Sequence, residues 1–164
     1  NLSKTILLVE GVADKACIEK FARKLNYDLT NYQLIVCHGS PIIGMTYLCI
    51  KENVNFKALL DADTKTKPSE WLKYKIGWRE YIEEFTKNSN CVFTPEDGIR
   101  KSLEDCFSRV DAEKYFYEKK NTDGTSEMKI GAREIEEGEV FTDETLKNFE
   151  QLFIKLGIPK IDKK

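Results

Sequence analysis

Two short apolar runs draw attention because each ends abruptly in carboxylates. Ile6-Leu7-Leu8-Val9 ends in Glu10-Gly11 with Asp14 close behind, and Leu59-Leu60 ends in Asp61-Ala62-Asp63. Carboxylates are hard oxygen donors, so a group of them suits Mg²⁺ or Mn²⁺ and metal-assisted phosphate chemistry. Asp61 and Asp63 are two residues apart, the side-chain period of a strand, and extended backbone through Asp63 would send both to one face. That spacing suits one or two cations. Turn formation is the competing explanation for Asp-x-Asp, and helix capping for Asp14. Glu10 resists such an explanation, because a purely structural turn more often uses Gly, Asn or Asp.

Apolar runs of this length, bounded by polar residues or glycine, read as buried strands. Strands are predicted at residues 5–9, 32–37, 56–60 and 91–93. Between them, helical spacing of apolar residues predicts helices at 15–25 (Cys17, Ile18, Phe21, Ala22, Leu25), with Asp14 as N-cap, at 42–51, and at 70–87. Alternating strands and helices build a parallel sheet covered on both faces, whose ligands bind at the carboxyl ends of the strands. After Thr94 the strand signal stops, and helices are predicted at 99–107, 111–119, 127–137 and 143–156, with a loop at 121–126 and a frayed tail at 158–164. Residues 1–94 then form an α/β core, and 95–164 a helical part completing the same domain.

Composition narrows the chemistry. A chain of 164 residues with 41% hydrophobic and 33% charged residues suits one soluble globular domain. No apolar run approaches the roughly 20 residues of a membrane span. The chain opens on Asn1 and enters a strand with no signal peptide visible, and the missing methionine suggests an excised or processed piece. Five cysteines without a C-x-x-C pair point to free buried thiols in a reducing cytoplasm. His38 is the only histidine, which argues against histidine-based zinc sites and leaves any Ser-His-Asp or Cys-His mechanism hanging on one residue. A net charge of −2 argues against tight nucleic-acid binding by a basic face, although bound divalent ions offset clustered carboxylates. Candidate phosphate contacts are Gly39 and Ser40, in the turn His38-Gly39-Ser40 ahead of a helix, and Lys65 and Lys67 in a lysine-containing loop. A plain turn and a solvated loop are the rival readings. The aromatic stripe from Trp71 to Phe85 has the spacing of a helix core.

Val9-Glu10-Gly11, Asp14, the glycine-containing turn after the second strand and Asp61-Ala62-Asp63 together resemble a TOPRIM domain. The Leu-Leu-Val-Glu-Gly-x-x-Asp form is most similar to the overcoming-lysogenization-defect (OLD) nucleases and related antiphage-defence nucleases. The resemblance implies a Rossmann-like fold with a central four-stranded parallel sheet. It also implies an endonuclease or nickase that hydrolyses phosphodiester bonds of DNA, or secondarily RNA, with two Mg²⁺ or Mn²⁺ ions. Glu10, Asp61 and Asp63 would be catalytic metal ligands, with Asp14 ligating or orienting a ligand. A further acidic element after the fourth strand is matched by Glu104-Asp105, and a charge-stabilising lysine by Lys129. Glu104 and Asp105 point about 100° apart on a helix, so at most one faces the site squarely, and Glu96 and Asp97 compete for that role. The family further implies an ABC-type ATPase as partner or neighbouring domain, with homo-oligomers formed through it. Two alternatives stand beside this reading. One is topoisomerase or primase chemistry, although none of the seven tyrosines has an identifying context. The other is a metal-binding or protein-interaction module without catalysis. A haloacid-dehalogenase phosphatase is set aside, because Lys65 stands where its Asp-x-Asp-x-Thr/Val pattern needs Thr or Val.

Overall fold

The computed structural model describes residues 3–131, 135, 136 and 138–162. Four parallel strands form the sheet: β1 (Thr5–Val9), β2 (Tyr32–Val36), β3 (Phe56–Leu60) and β4 (Cys91–Phe93), in the order β2-β1-β3-β4. Helix α1 (Val12–Leu25) carries the chain from β1 to β2, and α2 (Pro41–Lys51) carries it back past β1 to β3. That reversal is a topological switch point, where a crevice opens between the carboxyl ends of β1 and β3.

Side-chain alternation along the strands builds two cores. Leu7, Val9, Leu59 and Val92 join α1 and the last helix, α6 (Asp143–Leu156), on one face. Leu8, Phe56, Ala58, Leu60 and Cys91 join Ile42 and Ile43 of α2 and a set of aromatic rings on the other. On the first face Phe21 stacks on Phe149 with ring centroids 3.8 Å apart, clasping α1 to α6. On the second, Trp71, Tyr81 and Phe85 are buried and stacked in series, so these members of the aromatic stripe are core, while Trp78 is exposed.

Residues 70–87 are not one helix. They divide into α3 (Pro68–Leu72), α4 (Trp78–Tyr81) and a π-turn at Ile82–Thr86. Lys75 adopts a left-handed conformation at φ +60° between α3 and α4, and Ile76 drops into the core there. The break also seats Tyr74 against α2, so closely that a Cβ on Gly44 would lie 2.6 Å from its ring.

The region after Thr94 departs furthest from expectation. Residues 99–107 hold only a 3₁₀ turn, Leu103–Cys106, and 111–119 hold α5 (Arg109–Tyr115) followed by a strand. β5 (Phe116–Lys120) and β6 (Ser126–Ile130) form an antiparallel hairpin where 127–137 was expected to be helical; residues 132–134 and 137 lie outside the described set. The loop at 121–125 explains the hairpin. Gly124 takes φ +86°, Asn121 N–H donates to the Thr125 carbonyl at 2.7 Å, and Asp123 accepts from Thr125 N–H at 3.0 Å. Helix α6 (Asp143–Leu156) lies where its periodicity places it. The segment after it is no frayed tail within the described residues: Ile158 is buried, and Ile161 N–H donates to the Asn26 carbonyl at 2.8 Å. Residues 163 and 164 lie outside the described set.

Candidate metal centre

Glu10 leaves the carboxyl end of β1 and Asp61 that of β3, on the two strands flanking the switch point. Asp61 still has extended backbone, at φ −66° and ψ 134°, but a 3₁₀ turn begins at Ala62. Strand period therefore does not align Asp61 with Asp63; the turn does. Thr64 holds that turn by donating to the Asp61 carbonyl from its N–H at 3.0 Å and its hydroxyl at 2.7 Å, and Tyr81 O–H braces Thr64 at 3.1 Å. Asp14 is not the N-cap of α1. Gly11 is the cap, and Asp14 sits in the first turn, accepting the Gly11 N–H at 2.8 Å.

These groups line one open cleft of about 860 Å³. Among the described residues, its lining carries seven carboxylates (Glu10, Asp14, Asp61, Asp63, Glu70, Glu104, Glu127) against three permanent cations, Lys67, Arg100 and Lys129. Crowding of like charges away from water raises carboxylate pKa values. Burial, then the Glu10 carboxylate beside it, then Asp14 and Asp63, hold the Asp61 pKa far above its ordinary value. Asp14 is raised to about 7, chiefly by burial, with Glu104 and Glu10 adding to the rise while the Gly11 hydrogen bond and Lys129 oppose it.

The Oε2 atom of Glu10 is buried without a hydrogen-bond partner among the described residues. A buried, unpartnered carboxylate oxygen beside a crowded aspartate matches the donor set of a hard divalent cation, so the residues fit such an ion. Among the described residues no three candidate ligands already stand together as a metal cluster, so binding would have to draw the side chains inward.

The other predicted residues divide clearly. Glu104, Lys129, Gly39, Ser40 and Lys67 line the cleft, Lys67 pairing with Asp63 at 2.6 Å and Lys129 with Glu127 at 3.4 Å. Asp105 does not line it: its carboxylate accepts the Arg100 N–H at 3.0 Å and lies over Gly98. Lys65 is also absent from the lining, being paired with Glu96 and set over the Phe93 ring. Glu96 and Asp97 border a separate groove. The Gly39 N–H is already donated to the Glu10 carbonyl at 2.9 Å, which leaves that turn one fewer donor for a phosphate.

Sequence reasoning missed Arg100, Ser102, Glu70, Tyr117 and Glu127, all on the cleft wall. Ser102 donates its hydroxyl to Glu104 at 2.6 Å. The Asp123-Gly124 pair was the available signal for the hairpin that brings Tyr117, Glu127 and Lys129 to the site. Nothing local marks Arg100.

Residues 2–63 match the family model described as "Overcoming lysogenization defect protein-like, TOPRIM domain". Over that segment the chain is similar to an OLD-like TOPRIM domain. The TOPRIM match runs from just ahead of β1 through Asp63, taking in Glu10, Asp14, Asp61 and Asp63 and stopping short of Glu104 and Lys129. TOPRIM domains are typical of nucleases, topoisomerases and primases, and in general bind divalent metal. Neither a curated protein nor a solved structure matches the chain. No helix among the described residues is long and apolar enough to cross a membrane.

Proposed function

We propose that this chain is the catalytic part of a divalent-metal-dependent nuclease that hydrolyses phosphodiester bonds, with DNA the preferred substrate over RNA. The observation that carries the reading is the convergence of Glu10, Asp61 and Asp63 at the switch point of a parallel sheet, with one buried Glu10 oxygen unpartnered. Glu10, Asp61 and Asp63 would hold one ion, and Asp14 and Glu104 would extend the donor set toward a second. Bound Mg²⁺ or Mn²⁺ supplies Lewis-acid polarisation of the phosphoryl group and neutralises the carboxylates. Lys129 and Arg100, which line the same cleft, would donate to phosphate oxygens that gain charge in the transition state. Lys67, paired with Asp63 on the cleft lining, is the further cation within the cleft that could meet the substrate backbone. An ABC-type ATPase, as partner or neighbouring domain, regulates access, so the isolated chain is expected to be weakly active.

The test is nicking of supercoiled DNA with Mn²⁺, run beside a structured RNA. The native chain, supplied with its ATPase where one is found, should nick DNA, and Asp61→Asn should reduce the rate by on the order of 100-fold or more. Native-level nicking by Asp61→Asn, or no cleavage of either substrate by the full assembly, would overturn the reading.

A further inference from the structure

We propose that Thr94 is a positioning residue that fixes the Asp61/Asp63 turn against the segment carrying Glu104, so that carboxylates from both segments reach the same divalent site; this rests on the nuclease reading. Thr94 does not line the cleft and touches no candidate ligand side chain in the hydrogen-bond network, so its action runs through backbone. It follows β4 directly, and its N–H donates to the Leu60 carbonyl at 2.9 Å, extending the β3–β4 ladder by one step. The sheet thereby sets where the side chain hangs. Being β-branched, threonine then has few rotamers to choose from.

The hydroxyl is 1% exposed as part of its residue and uses both hydrogen-bonding capacities. It accepts the Ala62 N–H at 3.0 Å, the amide between Asp61 and Asp63. It donates to the Lys101 carbonyl at 2.9 Å. Lys101 holds a left-handed backbone at φ +54°, an uncommon state for a lysine that needs compensating contacts. The next residue, Ser102, opens the 3₁₀ turn carrying Glu104 and donates its hydroxyl to that carboxylate. One buried hydroxyl therefore ties together two acidic segments that are separate in sequence. Groups that orient ligands in this way alter metal affinity even though they never touch the ion.

The experiment is calorimetric titration of Mn²⁺ into the full chain, with thermal melts alongside. Thr94→Val keeps the shape and removes the hydroxyl, and should weaken Mn²⁺ binding about tenfold. Thr94→Ser should restore near-native affinity. In a Glu104→Gln background, Thr94→Val should cost markedly less, because the segment it aligns no longer offers its carboxylate. A Thr94→Val chain that melts lower yet binds Mn²⁺ as the native chain does would overturn the proposal, leaving Thr94 a purely structural residue. Should Thr94→Val not fold, Thr94→Cys against Thr94→Ser carries the same comparison, because a thiol hydrogen-bonds only weakly. The two levels fail separately. No Mn²⁺ binding by the native chain sinks the metal-site reading, whereas equal binding by native and variant sinks only the role of Thr94.

Discussion

Asp61 and Asp14 sit where their charged forms are disfavoured, which makes the cleft a cost to stability that a cation relieves. Burial and the neighbouring carboxylates raise both pKa values, that of Asp14 to about 7. The folded chain thus holds protons there that the unfolded chain releases near the ordinary carboxylate value. The stabilisation is full below that value and is lost as pH rises through the folded pKa, which for Asp14 spans about 4 to 7. In a chelator, the melting temperature should therefore fall between about pH 4 and pH 7, with a shallower fall in Asp14→Asn. Asp61→Asn should melt higher than the native chain at about pH 8 in chelator, by roughly 2–4 °C for each ~1 kcal/mol of repulsion removed. The same substitution should abolish the rise that Mn²⁺ gives the native chain. Melting curves with and without metal check all of these, and a lower melting temperature for Asp61→Asn in chelator would contradict them.

Among the secondary elements, α5 and α6 are joined by a buried carboxylate outside the cleft. Asp111 accepts hydrogen bonds from the Ser108 hydroxyl at 3.1 Å, the Thr142 N–H at 3.1 Å, the Thr142 hydroxyl at 2.9 Å and the Thr145 hydroxyl at 2.5 Å. Burial alone would raise its pKa, but the bonds from Thr145, Thr142 and Ser108 outweigh that and leave it lowered. The sign is opposite to that of the cleft: this contribution is present above the ordinary carboxylate pKa and is lost as pH falls through the lowered one. Asp111→Ala should cost about 1–3 kcal/mol, read from denaturant unfolding at neutral pH, with the deficit shrinking in acid. A cost independent of pH would place the effect in packing instead. The elements differ in how plainly the chain announces them. β1, β3, β4 and α6 were legible to the residue, because each is a buried apolar run or a clean helical stripe between polar bounds. The hairpin was not legible, because β5 is exposed along nearly its whole length and offers no apolar alternation, while its Glu and Lys residues suit a helix. Likewise Glu10 and Asp61 were legible as residues closing buried strands, whereas Asp63 stands in a 3₁₀ turn that strand spacing did not announce. Arg100 and Ser102 reach the cleft through irregular backbone held by the Asp105 side chain, a long-range arrangement without a local pattern.

For the molecule as a whole, charge would decide when the proposed nucleic-acid substrate can approach. The net charge is −2, and the described cleft lining is more acidic than that average, with seven carboxylates facing three cations. On the proposed nuclease reading, a polyanion would meet repulsion at the very place where it has to bind, and the usual gain from counterion release on basic surfaces would be small. Divalent ions reverse the local sign, because each contributes two positive charges where the carboxylates are densest. Binding of DNA should then be conditional on metal: negligible in chelator at moderate salt, and restored by Ca²⁺, which fills oxygen sites. Arg100→Ala and Lys129→Ala should each weaken the Ca²⁺-dependent binding while leaving Mn²⁺ affinity close to native, since both are placed to meet phosphate and carry no metal-ligating oxygen. Fluorescence anisotropy of a labelled oligonucleotide, titrated with and without Ca²⁺, measures this directly. Equal binding in chelator and in Ca²⁺ would mean that DNA is held by another surface, and the cleft would no longer explain recognition.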